Sequence, residues 1–144
     1  MKTFLSIAAA CVMAGLATGA SAQTISLSAG FLPDPVTFDT YSGGPNQASA
    51  IPGSSGCVGT VAVYADVKLN FSSNGGPLNI GVSSQADTSL IIKSPYGWVC
   101  DDDTYGLNPA LEWDSAPSGW YEIWVGAVGE SAPATVVITE GSLN

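Results

Sequence analysis

Between Val99 and Asp114 the chain reads VCDDDTYGLNPALEWD. Asp101, Asp102 and Asp103 are consecutive, and Gly106 and Asn108 follow within the same short stretch. Neighbouring carboxylates about 6–7 Å apart repel by roughly 1 kcal/mol per pair near a surface, a cost that water can absorb. A hard divalent cation would turn that repulsion into attraction, because Ca²⁺ takes about six to eight oxygens from carboxylates, amide and backbone carbonyls and water. Asp101, Asp102, Asp103 and Asn108 supply those oxygen types in one loop, and Gly106 lets the backbone curl. They are the candidate ligands of a structural Ca²⁺; a solvated acidic turn is the competing account.

Counted from Asp101, the stretch also matches most of the EF-hand loop template, with Asp103 third, Gly106 sixth and Glu112 twelfth. Tyr105 breaks the fifth position, Pro109 sits late in the loop, and neither flank has a helical pattern. Leu111 and Trp113 form the buried pair of a strand, which turns Glu112 toward solvent. The match is read as accidental, and Glu112 is not assigned as a ligand.

Other chemistry is excluded by composition. The chain has no His, so neither a Ser-His-Asp nor a Cys-His nucleophile can be assembled and no imidazole base exists. A zinc site of ordinary type lacks its ligands, and no glycine-rich loop ends in Lys-Ser/Thr. Twelve acids offer many carboxylate pairs for glycoside hydrolysis without singling one out. No catalytic residue is assigned, and the chain is read as a non-enzyme.

Residues 1–22 have the form of a secretory leader: Lys2 near the start, an apolar stretch from Phe4 to Gly19, and Ala20-Ser21-Ala22 before Gln23. Their removal leaves Lys68 and Lys93 against all twelve acids, a formal charge of −10. Such a surface has nothing to neutralise phosphates, which excludes nucleic acid, and its natural small partner is a divalent cation. No later segment is apolar enough to insert into a membrane. Cys57 and Cys100 remain as a single pair, expected to be bridged in the periplasm or outside the cell.

The elements that position these residues are strands. Gly, Pro, Ser and Asn interrupt the chain too often for helices, whereas Val67, Leu69 and Phe71, and again Leu78, Ile80 and Val82, alternate with polar residues. Thr88 to Ile92, Gly119 to Val125 and Ala134 to Thr139 read as further strands. Weaker candidates lie at Thr24 to Ser28, Val36 to Thr40, Cys57 to Tyr64 and Ala110 to Trp113. Turns are expected at Asn74-Gly75-Gly76-Pro77, Ser94-Pro95-Tyr96-Gly97 and Ala116-Pro117-Ser118-Gly119. About eight strands in one domain over 23–144, with 29–57 rich in loops, give an all-β class: an antiparallel, jelly-roll-like β-sandwich with one disulfide, a barrel being the alternative. If Tyr121, Ile123 and Val125 face the core, Trp120 and Trp124 face the other way. There they either pack beneath a neighbouring segment or form a surface for a polysaccharide or protein.

The segment from Asp87 to Glu140 resembles the bacterial pre-peptidase C-terminal domain family. Asp87 precedes the apolar run Leu90-Ile91-Ile92, Pro95-Tyr96-Gly97 forms the turn, Asp101 to Asp103 the acidic loop, and Ser118-Gly119-Trp120-Tyr121 the late signature. The resemblance implies a β-sandwich that is non-catalytic, accompanies secreted peptidases, is often stabilised by calcium and sometimes contributes to substrate binding. It nominates the acidic loop as the ion site and adds Asp87 and Asp114. The chain departs from the family in reading as a stand-alone form without a preceding peptidase domain.

Overall fold

The computed structural model describes residues 22–144; the leader reading falls on residues that, but for Ala22, lie outside the described ones. Eleven strands are present there: β1 (Gln23–Ser28), β2 (Val36–Tyr41), β3 (Asn46–Gln47), β4 (Thr60–Val61), β5 (Val67–Ser72), β6 (Leu78–Ser84), β7 (Thr88–Ser94), β8 (Gly97–Asp101), β9 (Ala110–Trp113), β10 (Gly119–Ala127) and β11 (Pro133–Thr139). A single turn of 3-10 helix spans Ala48–Ala50.

Two sheets result. In the larger, β10 is central: β7 and then β8 lie along one edge, and β5 followed by β1 along the first half of the other. Where β5 leaves off, β4 takes over that edge at Ala127 and carries β3. The smaller sheet has the order β2-β11-β6-β9 and is antiparallel throughout. The architecture is the expected β-sandwich, with eleven strands in place of about eight and with β1 running parallel to β5. Between them the chain crosses through β2 in the other sheet, a long connection of the kind that parallel neighbours require.

The core fills the space between the sheets. Val67, Leu69 and Phe71 of β5, Leu90 and Ile92 of β7, and Tyr121, Ile123 and Val125 of β10 meet Leu78, Ile80 and Val82 of β6 and Val136 and Ile138 of β11. These are the residues the alternation places on one face. Burying each contributes about 1.5–3 kcal/mol. Trp113 of β9 meets Tyr121 edge-on across the gap, with ring centroids 5.5 Å apart, and the Tyr121 hydroxyl donates to the Pro117 carbonyl at 2.7 Å.

β8 is absent from the sequence reading, and the strand expected over Cys57 to Tyr64 shortens to Thr60–Val61. Both departures have one cause. Residues 48–57 fold back over the outer face of the larger sheet, where Ala48, Cys57, Val61, Ala65, Ile91 and Trp124 form a second cluster with Ile51, Trp98 and Cys100. With Trp98 and Cys100 under that flap and Val99 against the core, β8 has no polar side, so no alternation marks it. The flap is fastened by the expected Cys57–Cys100 disulfide, with Cα atoms 5.7 Å apart.

Gly53 fits the flap to the indole beneath it. Its φ is +94°, and a Cβ there would overlap Trp98 Cδ1 and lie 2.8 Å from Trp98 Nε1. Both the left-handed backbone and the close approach demand glycine. Gly53→Ala is expected to lower stability by about 1–3 kcal/mol, read as a lower urea midpoint with an unchanged slope. A midpoint equal to that of the wild type would show that the flap does not rest on Trp98.

Candidate functional site

The acidic stretch is the crossover from one sheet to the other. Asp101 ends β8 in the larger sheet, Ala110 begins β9 in the smaller, and residues 102–109 join them. A second crossover, 85–87, runs from β6 to β7 beside it. The two are tied together: Thr88 N–H donates to the Leu107 carbonyl at 3.1 Å, and Ser84 N–H donates to Asn108 Oδ1 at 3.0 Å.

Within the loop, Asp101 Oδ2 accepts from Thr104 N–H at 3.2 Å and from Ala110 N–H at 2.9 Å. One carboxylate therefore closes the loop on both sides. One oxygen from each of Asp101, Asp102 and Asp103 lies within 4.8 Å of the others. Oxygens bound to one Ca²⁺ at about 2.3–2.6 Å stand at most about 5 Å apart, so the spacing of these three is compatible with a shared ion; they are three of the six to eight oxygens it takes, and exposed acidic groups are also common without one. The Asp102 pKa is raised, first by desolvation and then by the charges of Asp103, Asp101 and Asp87. Asp87, on the second crossover, thus belongs to the same electrostatic neighbourhood.

The other residues of the stretch are placed differently. Asp114 lies beyond the far end of β9, exposed, and outside the carboxylate group. An extended strand carries its two ends apart, which removes Asp114 from the ligand set. Asn108 is in the loop, but its side-chain oxygen accepts the Ser84 N–H, a structural duty. Glu112 is exposed on β9 and accepts the Tyr105 hydroxyl at 3.1 Å, outside the carboxylate group as expected.

The two tryptophans of β10 share a face but not an environment. Trp120 is 53% exposed, opposite Asn70 of β5 and near the Lys68–Glu122 ion pair, whose closest atoms are 3.0 Å apart. Trp124 is only 8% exposed: it lies under the flap, 5.4 Å from Trp98 between ring centroids. A joint Trp120–Trp124 surface is thereby corrected to Trp120 alone. Alternation sets which face a side chain points to; what covers that face depends on a distant segment.

Four residues that the sequence does not single out as site residues gather near the same end of the sandwich as the acidic loop. Asp39, Tyr41, Tyr64 and Asp66 line one cleft of about 420 Å³. Asp66 immediately precedes β5, and its carboxylate bridges the sheets. Oδ2 accepts from Val125 N–H of β10 at 2.8 Å and Oδ1 from Thr40 Oγ1 of β2 at 2.6 Å. It serves β10 where β5 has ended and β4 has not begun. Burial raises its pKa, outweighing these hydrogen bonds. The lone Asp inside AVYADVKL was the one available signal.

Among the described residues no helix is long and apolar enough to cross a membrane. No protein-family model and no curated protein matches the chain. Among solved structures it is similar to a periplasmic inhibitor of g-type lysozyme from Aeromonas hydrophila, at 10% identity over 83% of this chain and 98% of that one, with a TM-score of 0.44. At that level the likeness carries no argument about fold or function.

Proposed function

We propose that this protein is an exported, non-catalytic β-sandwich binding module of the pre-peptidase C-terminal type. In this reading Asp101, Asp102 and Asp103 hold a structural Ca²⁺ with Asp87 adding charge, and the module serves a secreted peptidase, another protein or a polysaccharide. The observation that carries the calcium reading is the convergence of three carboxylate oxygens within 4.8 Å on the crossover between the sheets. An ion there would link the ends of β8 and β9, close to the disulfide at Cys100, and relieve the crowding felt by Asp102. The Cys57–Cys100 bridge supports export, since such bonds persist in oxidising compartments. The lack of His supports a role without catalysis.

Calorimetric melting tests the ion. Extracellular calcium modules bind in roughly the 0.1–1 mM range, so about 5 mM Ca²⁺ should stabilise the native state by about 1–2 kcal/mol. The rise should disappear with chelator and in Asp102→Asn/Asp103→Asn. NaCl at matched ionic strength is the necessary control, because any salt screens a chain with so many acids. An equal rise with NaCl, or none with Ca²⁺, would remove the ion from the proposal.

A further inference from the structure

Asn74 is the only asparagine of the sequence that a glycine follows. Both residues are exposed, in the turn that carries the chain from β5 in the larger sheet to β6 in the smaller. An asparagine side-chain amide can lose ammonia when the backbone nitrogen of the next residue attacks it, and the local geometry decides whether the two groups meet.

Asn74 Oδ1 accepts the Gly76 N–H at 3.0 Å. The ring closed by this hydrogen bond contains both reacting atoms, Asn74 Cγ and the intervening Gly75 N, so the side chain is already folded toward the amide that attacks it. The Gly76 N–H also points at the oxygen on which negative charge develops during that attack, which lowers the barrier. The Gly75 N–H donates to Ser73 Oγ at 2.9 Å, which places an oxygen on the path by which the proton leaves to solvent. Gly75 has a φ of +88° and open space where a Cβ would stand, so no side chain crowds the ring closure.

Asn46, Asn70, Asn79 and Asn108 lack this arrangement. Asn46, Asn70 and Asn79 lie in β3, β5 and β6, and Asn79 Nδ2 is held by the Gly141 carbonyl at 2.6 Å. Asn108 precedes Pro109, whose nitrogen carries no proton to lose.

We propose that Asn74 deamidates spontaneously in the folded protein. Gly75 N gives its proton to hydroxide and bonds to Asn74 Cγ; the Cγ–Nδ2 bond then breaks, and Nδ2 takes a proton from water and leaves as ammonia. The succinimide so formed adds one water. Opening at the Cγ–N bond gives aspartate at position 74, and opening at the main-chain carbonyl gives isoaspartate, with one more carbon in the backbone. Aspartate keeps an oxygen for the Gly76 N–H and takes the charge of residues 23–144 from −10 to −11. Isoaspartate lengthens a turn that is tied on both sides to residues 116–118, by Ser73 N–H to Ser118 Oγ at 2.8 Å and by Ala116 N–H to the Gly76 carbonyl at 2.9 Å, and so pulls Gly76 away from Ala116. The site depends neither on the calcium ion nor on the partner of the module.

The test follows the purified, folded protein at neutral and mildly alkaline pH. Cleavage after Lys68 and Lys93 yields the peptide 69–93, which carries Asn70, Asn74 and Asn79 together. Mass spectrometry of that peptide should show amide loss at Asn74, in proportion to hydroxide concentration and about ten-fold faster, or more, than at Asn70 and Asn79. Fragmentation across position 74 should reveal both the aspartate and the isoaspartate product, and the isoaspartate fraction should melt at a lower midpoint than the aspartate fraction. Asn74→Gln, which would have to close a larger ring, should keep its amide. An Asn74 amide that persists in the folded protein while the urea-unfolded chain loses it would overturn the proposal, as would equal loss at Asn70 or Asn79, or a rate indifferent to pH.

Discussion

Replacing Cys57 and Cys100 together by alanine is expected to lower the melting midpoint by about 15 °C. The bridge spans a sequence separation of 43, and closing a loop of that length restricts the unfolded chain by about 4 kcal/mol in the loop-entropy model. The native flap has little to replace it. Its backbone bonds are mostly internal: Ile51 N–H to the Ala48 carbonyl, Ser54 N–H to Ile51, and Cys57 N–H to Ser54. Beneath it the contacts are apolar, and Trp124 Nε1 has no hydrogen-bond partner among the described residues. The flap should therefore open at a lower free energy than the sandwich beneath it. Tryptophan emission should move to longer wavelength in the double variant before the far-ultraviolet signal of the strands is lost. A midpoint within about 3 °C of the wild type would show that the apolar contacts alone hold the flap.

Asp66→Ala should cost about 2–4 kcal/mol, far more than an ordinary surface change. The carboxylate stands in for a strand: it accepts the Val125 N–H in the gap between β5 and β4, and its other oxygen fastens Thr40 of the smaller sheet. Alanine leaves a buried amide without an acceptor and unpins β2. Asparagine can accept from Val125 and donate to Thr40, so Asp66→Asn should stay within about 1 kcal/mol of the wild type. The two side chains differ in their response to pH. In the wild type, burial raises the folded pKa above the ordinary 3.8, so the folded state holds this proton more tightly than the unfolded chain does. The stabilisation is complete below 3.8 and is lost as pH rises through the raised folded value. Relative to Asp66→Asn, the wild type should lose ground across that window and hold a constant difference above it. Urea midpoints of both proteins across the acid range measure this; a gap that is flat, or that moves against the wild type toward acid, would contradict desolvation as the dominant cause.

Local patterns in this chain were legible because they depend on near neighbours. Val67, Leu69 and Phe71, and Leu78, Ile80 and Val82, alternate strictly, and in each trio all three side chains lie in the core. The Cys57–Cys100 pairing was legible because only two cysteines lie after the leader. The acidic loop was legible because its three carboxylates are contiguous. Asp114, which the resemblance adds to the ion site, is carried by β9 to the other end of the strand, a separation that a list of motifs along the chain does not contain. Trp124 was assigned to the right face, yet a segment some 70 residues earlier covers it.

The residues alone thus determined that the chain is built of strands, which side chains face the core, where the bond between cysteines forms and where negative charge concentrates. Those properties follow from a two-residue period, from composition and from adjacency. Only the tertiary structure decided that β1 runs parallel to β5, that the flap buries Trp98 and Trp124, and that Asp39 and Tyr41 meet Tyr64 and Asp66 across a cleft. Strand direction and contact between segments depend on long-range closure of the chain, and a side-chain pattern with a period of two has the same form whichever neighbour it meets.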